Sequence, residues 1–386
     1  MIIIYIQYTI DKKDIMIFML LDFSRAFDTI SHKVLISILG YIGLHENAVK
    51  LFSQFLSGRT QRVKIGTDVS DEIPITRGVP QGSLLSPLLF AIYTSRLHEV
   101  LQSSKIQYYA DDTQIMQSCS EDSIGDTCVL LNSEINRFRE VSLNHDLHLN
   151  VKKCCVMLFG SKGVLEKIKQ DVVIKIGEEI IEIRDHVRNL GLIFDSTMRF
   201  SKHISHCIQR AYTRLKLIYA HRHELPPNIK KMLCDSLVLS VFNHGDVVYT
   251  NCLTQFDKKR IQKVQNSCLR LIYGIRKFNR ISHKLIEARW LNMESRRELH
   301  QAYFFYKIII HKTPAYLFNK IVFRTHVHNI NIRSRGLLTT PFHKTASFER
   351  SFTYNIARVY NNLPLSVKSL PLNKFKKKLL TYYMSS

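Results

Sequence analysis

Two adjacent acids set inside a β-favouring stretch constrain this chain more than any other feature. Gln107-Tyr-Tyr-Ala-Asp-Asp-Thr-Gln-Ile-Met116 reads as a strand, a two-residue turn and a second strand, with Asp111 and Asp112 at the tip of the hairpin. Carboxylates so close repel each other, which raises one pKa unless a cation stands between them. All-oxygen sites of this kind suit Mg²⁺, which is held by one or two carboxylates together with substrate phosphates. The plainer reading is an ordinary turn, because Asp is common in turns. The upstream stretches decide against it.

Ile15-Met-Ile-Phe-Met-Leu-Leu21 is an unbroken apolar run, the pattern of a buried strand, and it delivers Asp22 at its end, followed by Phe23-Ser-Arg-Ala-Phe-Asp28. If this strand neighbours the hairpin in one sheet, Asp22, Asp111 and Asp112 converge at one edge, the minimum set for two-metal phosphoryl chemistry. Between them lies Arg77-Gly-Val-Pro-Gln-Gly-Ser-Leu-Leu-Ser-Pro-Leu-Leu-Phe-Ala-Ile-Tyr93. Gly78, Pro80 and Gly82 forbid regular structure, and Leu84 onward reads as a buried helix. A Gly-containing loop that opens a helix leaves backbone N–H groups free, a cradle for an anion or nucleotide at Gln81 and Gly82. An ordinary loop before a core helix fits the local pattern equally well.

The remaining pattern is alternating α and β up to about residue 200. A helix capped by Asp28 or Ser31 runs to about Gly40, and Glu46 to Leu56 forms another with Gly58 as its stop. Arg62–Ile65 and Glu72–Ile75 read as β pieces. Ile124, Cys128, Leu131, Ile135 and Phe138 recur at helical spacing. Leu147–Phe159 reads as a strand, Val172–Ile176 and Glu179–Ile183 as a hairpin around Gly177-Glu178, and Val187–Phe194 as one more strand. Beyond Phe200 the composition turns helical over Ser201–Tyr219, Asn228–Phe242, Phe256–Tyr273 and Ser295–His311.

Charge narrows the function class. The chain carries 55 Lys plus Arg against 32 Asp plus Glu, a net +23, which points to a polyanionic partner. From Lys320 on, Lys320, Arg324, Arg333, Arg335, Lys344, Arg350, Arg358, Lys368, Lys374, Lys376, Lys377 and Lys378 face Glu349 as the one acid. Interleaved Phe, Tyr and His fit a surface that grips phosphates and stacks bases. Eight Cys without a C-x-x-C pair suggest free thiols in a reducing compartment. The apolar opening Met1–Ile10 is too short to span a bilayer and lacks the features of a signal peptide, so the expectation is a soluble intracellular protein, neither secreted nor transmembrane. His203, His206 and Cys207 lack a fitting second pair of zinc ligands and read as core or surface residues.

Three stretches in this order and spacing, Leu21-Asp-Phe-Ser-Arg-Ala-Phe-Asp-Thr-Ile30, Arg77–Phe90 and Tyr109-Ala-Asp-Asp112, resemble the reverse transcriptase of non-LTR, LINE-type retrotransposons, nearest the jockey-like elements. Leu149–Lys153 and Asn189–Asp195 resemble that family's next two motifs. The resemblance implies an α+β right-hand polymerase. Residues 1–200 would be a palm with primer-grip strands, 201–320 a helical thumb-like region and 321–386 a basic C-terminal region. It implies an RNA-directed DNA polymerase that uses Mg²⁺, with Mn²⁺ as a substitute, and takes dNTPs, an RNA template and a DNA primer or target, with no membrane. A nuclear or cytoplasmic ribonucleoprotein location follows from the family.

By the same resemblance, Asp22 and Asp111 ligate the metal ions with Asp112 beside them, and the Phe23 carbonyl completes one metal shell. Phe27 excludes a ribose 2′-hydroxyl, with a plain core Phe as the competing reading. Gln81 and Gly82 line the nucleotide pocket. Lys153, with Lys152 as rival, stands by the pyrophosphate, and Leu190 and Gly191 belong to the primer grip. Little of the family's fingers region precedes Asp22, which implies an N-terminally truncated reading frame with weakened dNTP binding. The alternative function is therefore a weak or inactive remnant that only binds nucleic acid.

Overall fold

The computed structural model describes residues 1–326 and 336–385. The chain forms two compact units, one of Lys13–Asp185 and one of Met1–Lys12 with His186–Ser386.

The unit Lys13–Asp185 is built on a four-stranded antiparallel sheet. Its strands are β1 (Ile15–Leu21), β2 (Lys105–Tyr109), β3 (Asp112–Cys119) and β4 (Cys155–Phe159), in the order β2-β3-β1-β4. β1 is central, which explains why its sequence is apolar throughout rather than alternating: both its faces are covered, and six of its seven residues are buried. Ile15, Ile17, Met19 and Leu21 join a core with Phe90, Ile135 and Phe138. The helix Ile124–Asn144 contributes its buried stripe Ile124, Cys128, Leu131, Ile135 and Phe138 to that core. Each such fully buried side chain contributes about 1.5–3 kcal/mol. The helices His32–Tyr41, capped by the Ser31 side chain, and Glu46–Leu56 follow the sequence pattern.

Four expectations are corrected. The strand read from Leu147 begins only at Cys155. Asn150–Lys153 turns back on itself, with the Lys153 and Cys154 N–H groups donating to the Asn150 carbonyl. Asn is at home in such a turn, and two adjacent lysines cannot both be accommodated in a covered strand. The helix read from Leu84 starts at Ser86 with Pro at its first turn, leaving Leu84 97% exposed. The single strand read over Val187–Phe194 is a hairpin, β5 (His186–Asn189) and β6 (Leu192–Asp195), turned at Leu190-Gly191. The helix read over Asn228–Phe242 is an α-helix at Pro227–Leu233 followed by a π-turn and a 3-10 turn.

β5 and β6 group with the helices that follow them. In that second unit, helices Ser201–Ala220, Gln255–Tyr273 and Met293–His311 pack together, and Phe352–Asn362 and Leu372–Ser385 lie on Met293–His311. Within residues 321–386 the described helices share this packing. Phe375 and Leu379 are buried, the Phe375 ring stacks on Tyr306 at 3.7 Å, and the Tyr306 hydroxyl donates to the Leu370 carbonyl at 2.6 Å. Lys374, Lys376, Lys377 and Lys378 remain on the exposed face of the last helix. Arg333 and Arg335 lie outside the described residues. Among the described residues, no helix is long and apolar enough to cross a membrane.

Candidate active site

The sheet register assembles the site. β1 and β3 pair antiparallel down to Leu21↔Thr113, so the next residues, Asp22 and Asp112, face each other at the end of the ladder. β2 and β3 close at Tyr109↔Asp112, leaving Ala110-Asp111 as the two-residue turn. Ala110 sits at φ +53°, a left-handed conformation that costs an L-residue about 1–2 kcal/mol and marks this turn as constrained. Asp22, Asp111 and Asp112 are thereby brought to one corner of the sheet.

Their electrostatics follow from that placement. Asp112 is open to solvent over much of its surface. Nevertheless desolvation of its carboxyl, followed by the charges of Asp111 and Asp22, raises its pKa above the usual Asp value. Lys153 Nζ stands 3.2 Å from Asp22 Oδ2, but out of line for hydrogen bonding, so that oxygen is screened from solvent and accepts no hydrogen bond. The turn at Asn150–Lys153 is what brings Lys153 there; Lys152, its neighbour, has no such contact among the ion pairs of the described residues. The antiparallel bridge Phe23↔Leu149 uses the Asp22 carbonyl and the Ser24 N–H rather than the backbone polar groups of Phe23.

This donor set fits a divalent cation: mutually repelling carboxylates and a screened carboxylate oxygen without a hydrogen-bond donor. Among the described residues no group of three or more His, Cys, Asp or Glu is gathered tightly enough to hold an ion.

The Arg77–Gly82 loop is strapped to the segment that follows Asp22. The Gly78 and Val79 N–H groups donate to the Ile30 and Phe27 carbonyls at 2.8 and 2.9 Å, and His32 Nε2 lies 2.7 Å from the Gly78 carbonyl. Gly78 has φ +82° and passes so close that a Cβ would stand 2.8 Å from the Asp28 backbone. Gln81 Nε2 donates to Asp28 Oδ1 at 2.9 Å, and Gly82 follows in the open. The same loop walls a cavity of about 630 Å³ that Arg25, Arg59 and Arg77 also line. Phe27 is half-buried, stacked on Phe90 at 4.6 Å between ring centroids.

Sequence reasoning offered Asp28 only as a helix cap and did not single out Tyr93. The structure makes Asp28 the partner of Gln81, and Tyr93 a strut that accepts from the Ser31 N–H and donates to the His145 carbonyl. Only long-range contacts reveal either role. Leu190 and Gly191 occupy the β5–β6 turn at φ +46° and +84°, with His244 Nε2 2.9 Å from the Leu190 carbonyl.

Residues 6–194 match the family model described as reverse transcriptase (RNA-dependent DNA polymerase). Over 284 residues the chain is 26% identical to the RNA-directed DNA polymerase from mobile element jockey of Drosophila melanogaster, a match covering 68% of this chain and 29% of the relative. It is 24% identical over 287 residues to the probable RNA-directed DNA polymerase from transposon X-element of the same species, covering 70% and 30%. A stretch of 137 residues is 30% identical to the retrovirus-related Pol polyprotein from type-1 retrotransposable element R2 of Popillia japonica, covering 32% and 19%. The chain thus spans less than a third of the length of these curated relatives.

Proposed function

We propose that this chain, which carries a reverse transcriptase domain related to those of non-LTR retrotransposons, is an RNA-directed DNA polymerase that extends a DNA primer on an RNA template. The observation that carries the reading is the register that sets Asp22 opposite Asp112 with Asp111 in the adjoining turn. In the reaction the primer 3′-hydroxyl oxygen attacks the α-phosphorus of a dNTP. A P–O bond forms there, the bond to the bridging oxygen breaks, pyrophosphate leaves, and the hydroxyl proton passes to solvent.

Asp22 and Asp111, with Asp112 beside them and the Phe23 carbonyl completing the set, would hold the divalent cations, Mg²⁺ or Mn²⁺ in its place. Cations bound there would supply charge neutralisation for the phosphates and a lowered pKa for the attacking hydroxyl. Lys153 adds positive charge for the leaving pyrophosphate. Phe27 occupies the space of a ribose 2′-hydroxyl and so selects dNTPs, and Gln81 and Gly82 line the nucleotide pocket. The Leu190-Gly191 turn steadies the primer strand. The net +23 draws in template and primer, with a strong salt dependence. Such an enzyme works inside the cell, in the nucleus or in a cytoplasmic ribonucleoprotein.

The test is primer extension with an RNA template, an annealed DNA primer, dNTPs and Mg²⁺, beside an Asp111→Ala, Asp112→Ala variant. Extension by the parent protein that the variant lacks supports the reading. Salt-sensitive binding of template–primer without extension would instead make the chain a nucleic-acid-binding protein with a silent triad.

A further inference from the structure

The C-terminal unit encloses a second site. Helices Met293–His311, Phe352–Asn362 and Leu372–Ser385 line a cavity of about 560 Å³. Three polar side chains in its wall are almost wholly buried: Arg297 is 2% exposed, Gln301 1% and Asn355 1%. Arg297 Nε and Nη1 and Gln301 Nε2 find no acceptor, and Asn355 Oδ1 finds no donor, although Asn355 Nδ2 donates to the Glu349 and Ser351 carbonyls. A buried polar atom left unmatched costs about 1–3 kcal/mol, and more when charged. Three orphaned donors and one orphaned acceptor around one cavity describe the complement of a ligand rich in acceptors that also carries a donor.

Charge sharpens this. Among the acids of the wall, Glu294 pairs with Lys258, Glu349 lies 3.2 Å from His343 Nε2, and Glu298 has its pKa raised by burial and by Glu294 against the opposing charges of Lys258, Arg358 and Arg297. The wall's arginines are less well matched. Arg297 has its pKa lowered by burial against the opposing charges of Glu294, Asp246 and Glu298, Arg350 by burial and by repulsion from Arg199 against Glu349, and Arg358 donates to the neutral Asn251 amide while its charge faces Glu298. The wall carries Lys258, Arg297, Arg350 and Arg358 beside Glu294, Glu298 and Glu349, and its guanidinium groups are matched to phosphate oxygens.

We propose that this cavity binds a single nucleotide, its phosphate on Arg297 and Gln301 with Arg350 and Arg358 beside it, and a ribose hydroxyl or base N–H on Asn355 Oδ1. The choice of a nucleotide over other phosphates rests on the reading that the chain works on nucleic acid. The free volume suits a nucleoside monophosphate, either free in solution or at the 5′ end of an RNA strand.

Thermal unfolding of the full chain tests this in metal-free buffer, in the parent and in the Asp111→Ala, Asp112→Ala variant, which removes the polymerase triad. Saturating guanosine or adenosine 5′-monophosphate should raise Tm by roughly 5 °C in both. Gln301→Leu and the exposed Arg358→Gln should each weaken that response at least tenfold in nucleotide concentration, with Tm of the unliganded variants near the parent's. A shift given by a 5′-phosphorylated RNA octamer but not by free nucleotide or a 5′-hydroxyl octamer assigns the ligand to a strand end. The proposal fails if no probe shifts Tm. It fails too if inorganic phosphate alone matches the nucleotide at equal concentration, or if both variants respond like the parent. Because the readout is independent of the triad, loss of primer extension leaves it standing.

Discussion

Lys153 Nζ stands 3.2 Å from Asp22 Oδ2, so a cation already leans on the strand-end carboxylate. Both groups are partly open to solvent, and such a pair is worth under about 1 kcal/mol to the fold. In the proposed function its value lies in chemistry. Lys153→Met should lower the rate of nucleotide addition by about 10²-fold, the scale on which loss of one charge-stabilising group is felt. Stability should barely change. Lys152→Met should stay within about 2-fold of the parent. Single-turnover extension rates for the two variants decide between them, and equal losses would remove the special role of Lys153.

Gly78 crosses close to the Asp28 backbone. A Cβ there would meet Asp28 Cα and O at 2.8 Å, and neither atom can swing away as a side-chain tip does. Gly78→Ala should therefore destabilise the unit by about 3 kcal/mol and loosen the loop that carries Gln81. Gly82 has a similar φ of +87° but open space around it, so Gly82→Ala should cost only the conformational term, about 1–2 kcal/mol. Urea unfolding of both variants reads the difference directly.

Much of this site was legible because its signals are local. An unbroken apolar run ending in Asp22, and β-favouring residues flanking Asp111-Asp112, dictate a covered strand and a hairpin whatever surrounds them. Their convergence was conditional on a shared sheet, and the β1–β3 pairing supplies it. What escaped depends on distant partners. The break at Asn150–Lys153 competes with a strand pattern that continues through Leu147 and Cys155, and the turn wins where the lysines must reach solvent. The Leu190-Gly191 turn was masked because Leu is an improbable residue at positive φ. Arg297, Gln301 and Asn355 sit tens of residues apart and share no motif, so only packing of the helices gathers them.

Glu134 ties the approach to the hairpin onto the helix Ile124–Asn144. Its carboxylate accepts from the Gln102 and Ser103 N–H groups and from the Ser103 and Ser104 hydroxyls. Burial works to raise its pKa, but these donors prevail and hold it below the usual value of 4.5. A depressed folded-state pKa contributes stability that is fully present above the unfolded value and is lost as pH falls through the folded one. Glu134→Gln should thus lose about 2 kcal/mol at pH 7. The gap to the parent should narrow as pH drops below 4.5. Denaturation midpoints across that range give the test; a constant gap would mean that shape, not charge, holds the loop.

Phe27 has two candidate roles, and one variant separates them. Its ring stacks on Phe90 at 4.6 Å, so Phe27→Ala costs stability of about 3 kcal/mol under either reading. Selection against a 2′-hydroxyl predicts more: the ratio of rNTP to dNTP incorporation should rise at least tenfold. Phe27→Tyr should keep the ratio close to the parent's. A destabilised variant with an unchanged ratio would leave Phe27 as a core residue.

Leu190 is held where leucine does not belong. At φ +46° beside Gly191 at +84°, the β5–β6 turn has both central residues left-handed, the geometry that favours Asn-Gly or Gly-Gly. The side chain is 36% exposed, so burial does not repay the strain of about 1–2 kcal/mol. A strained, exposed apolar residue at a turn tip is explained if it meets another molecule, which in the proposed function is the primer strand. Leu190→Gly should accordingly raise the unfolding free energy by about 1 kcal/mol while weakening primer–template binding severalfold, measured by equilibrium binding at fixed salt. If the variant is more stable and binds primer–template as tightly as the parent, Leu190 plays no part in holding the primer.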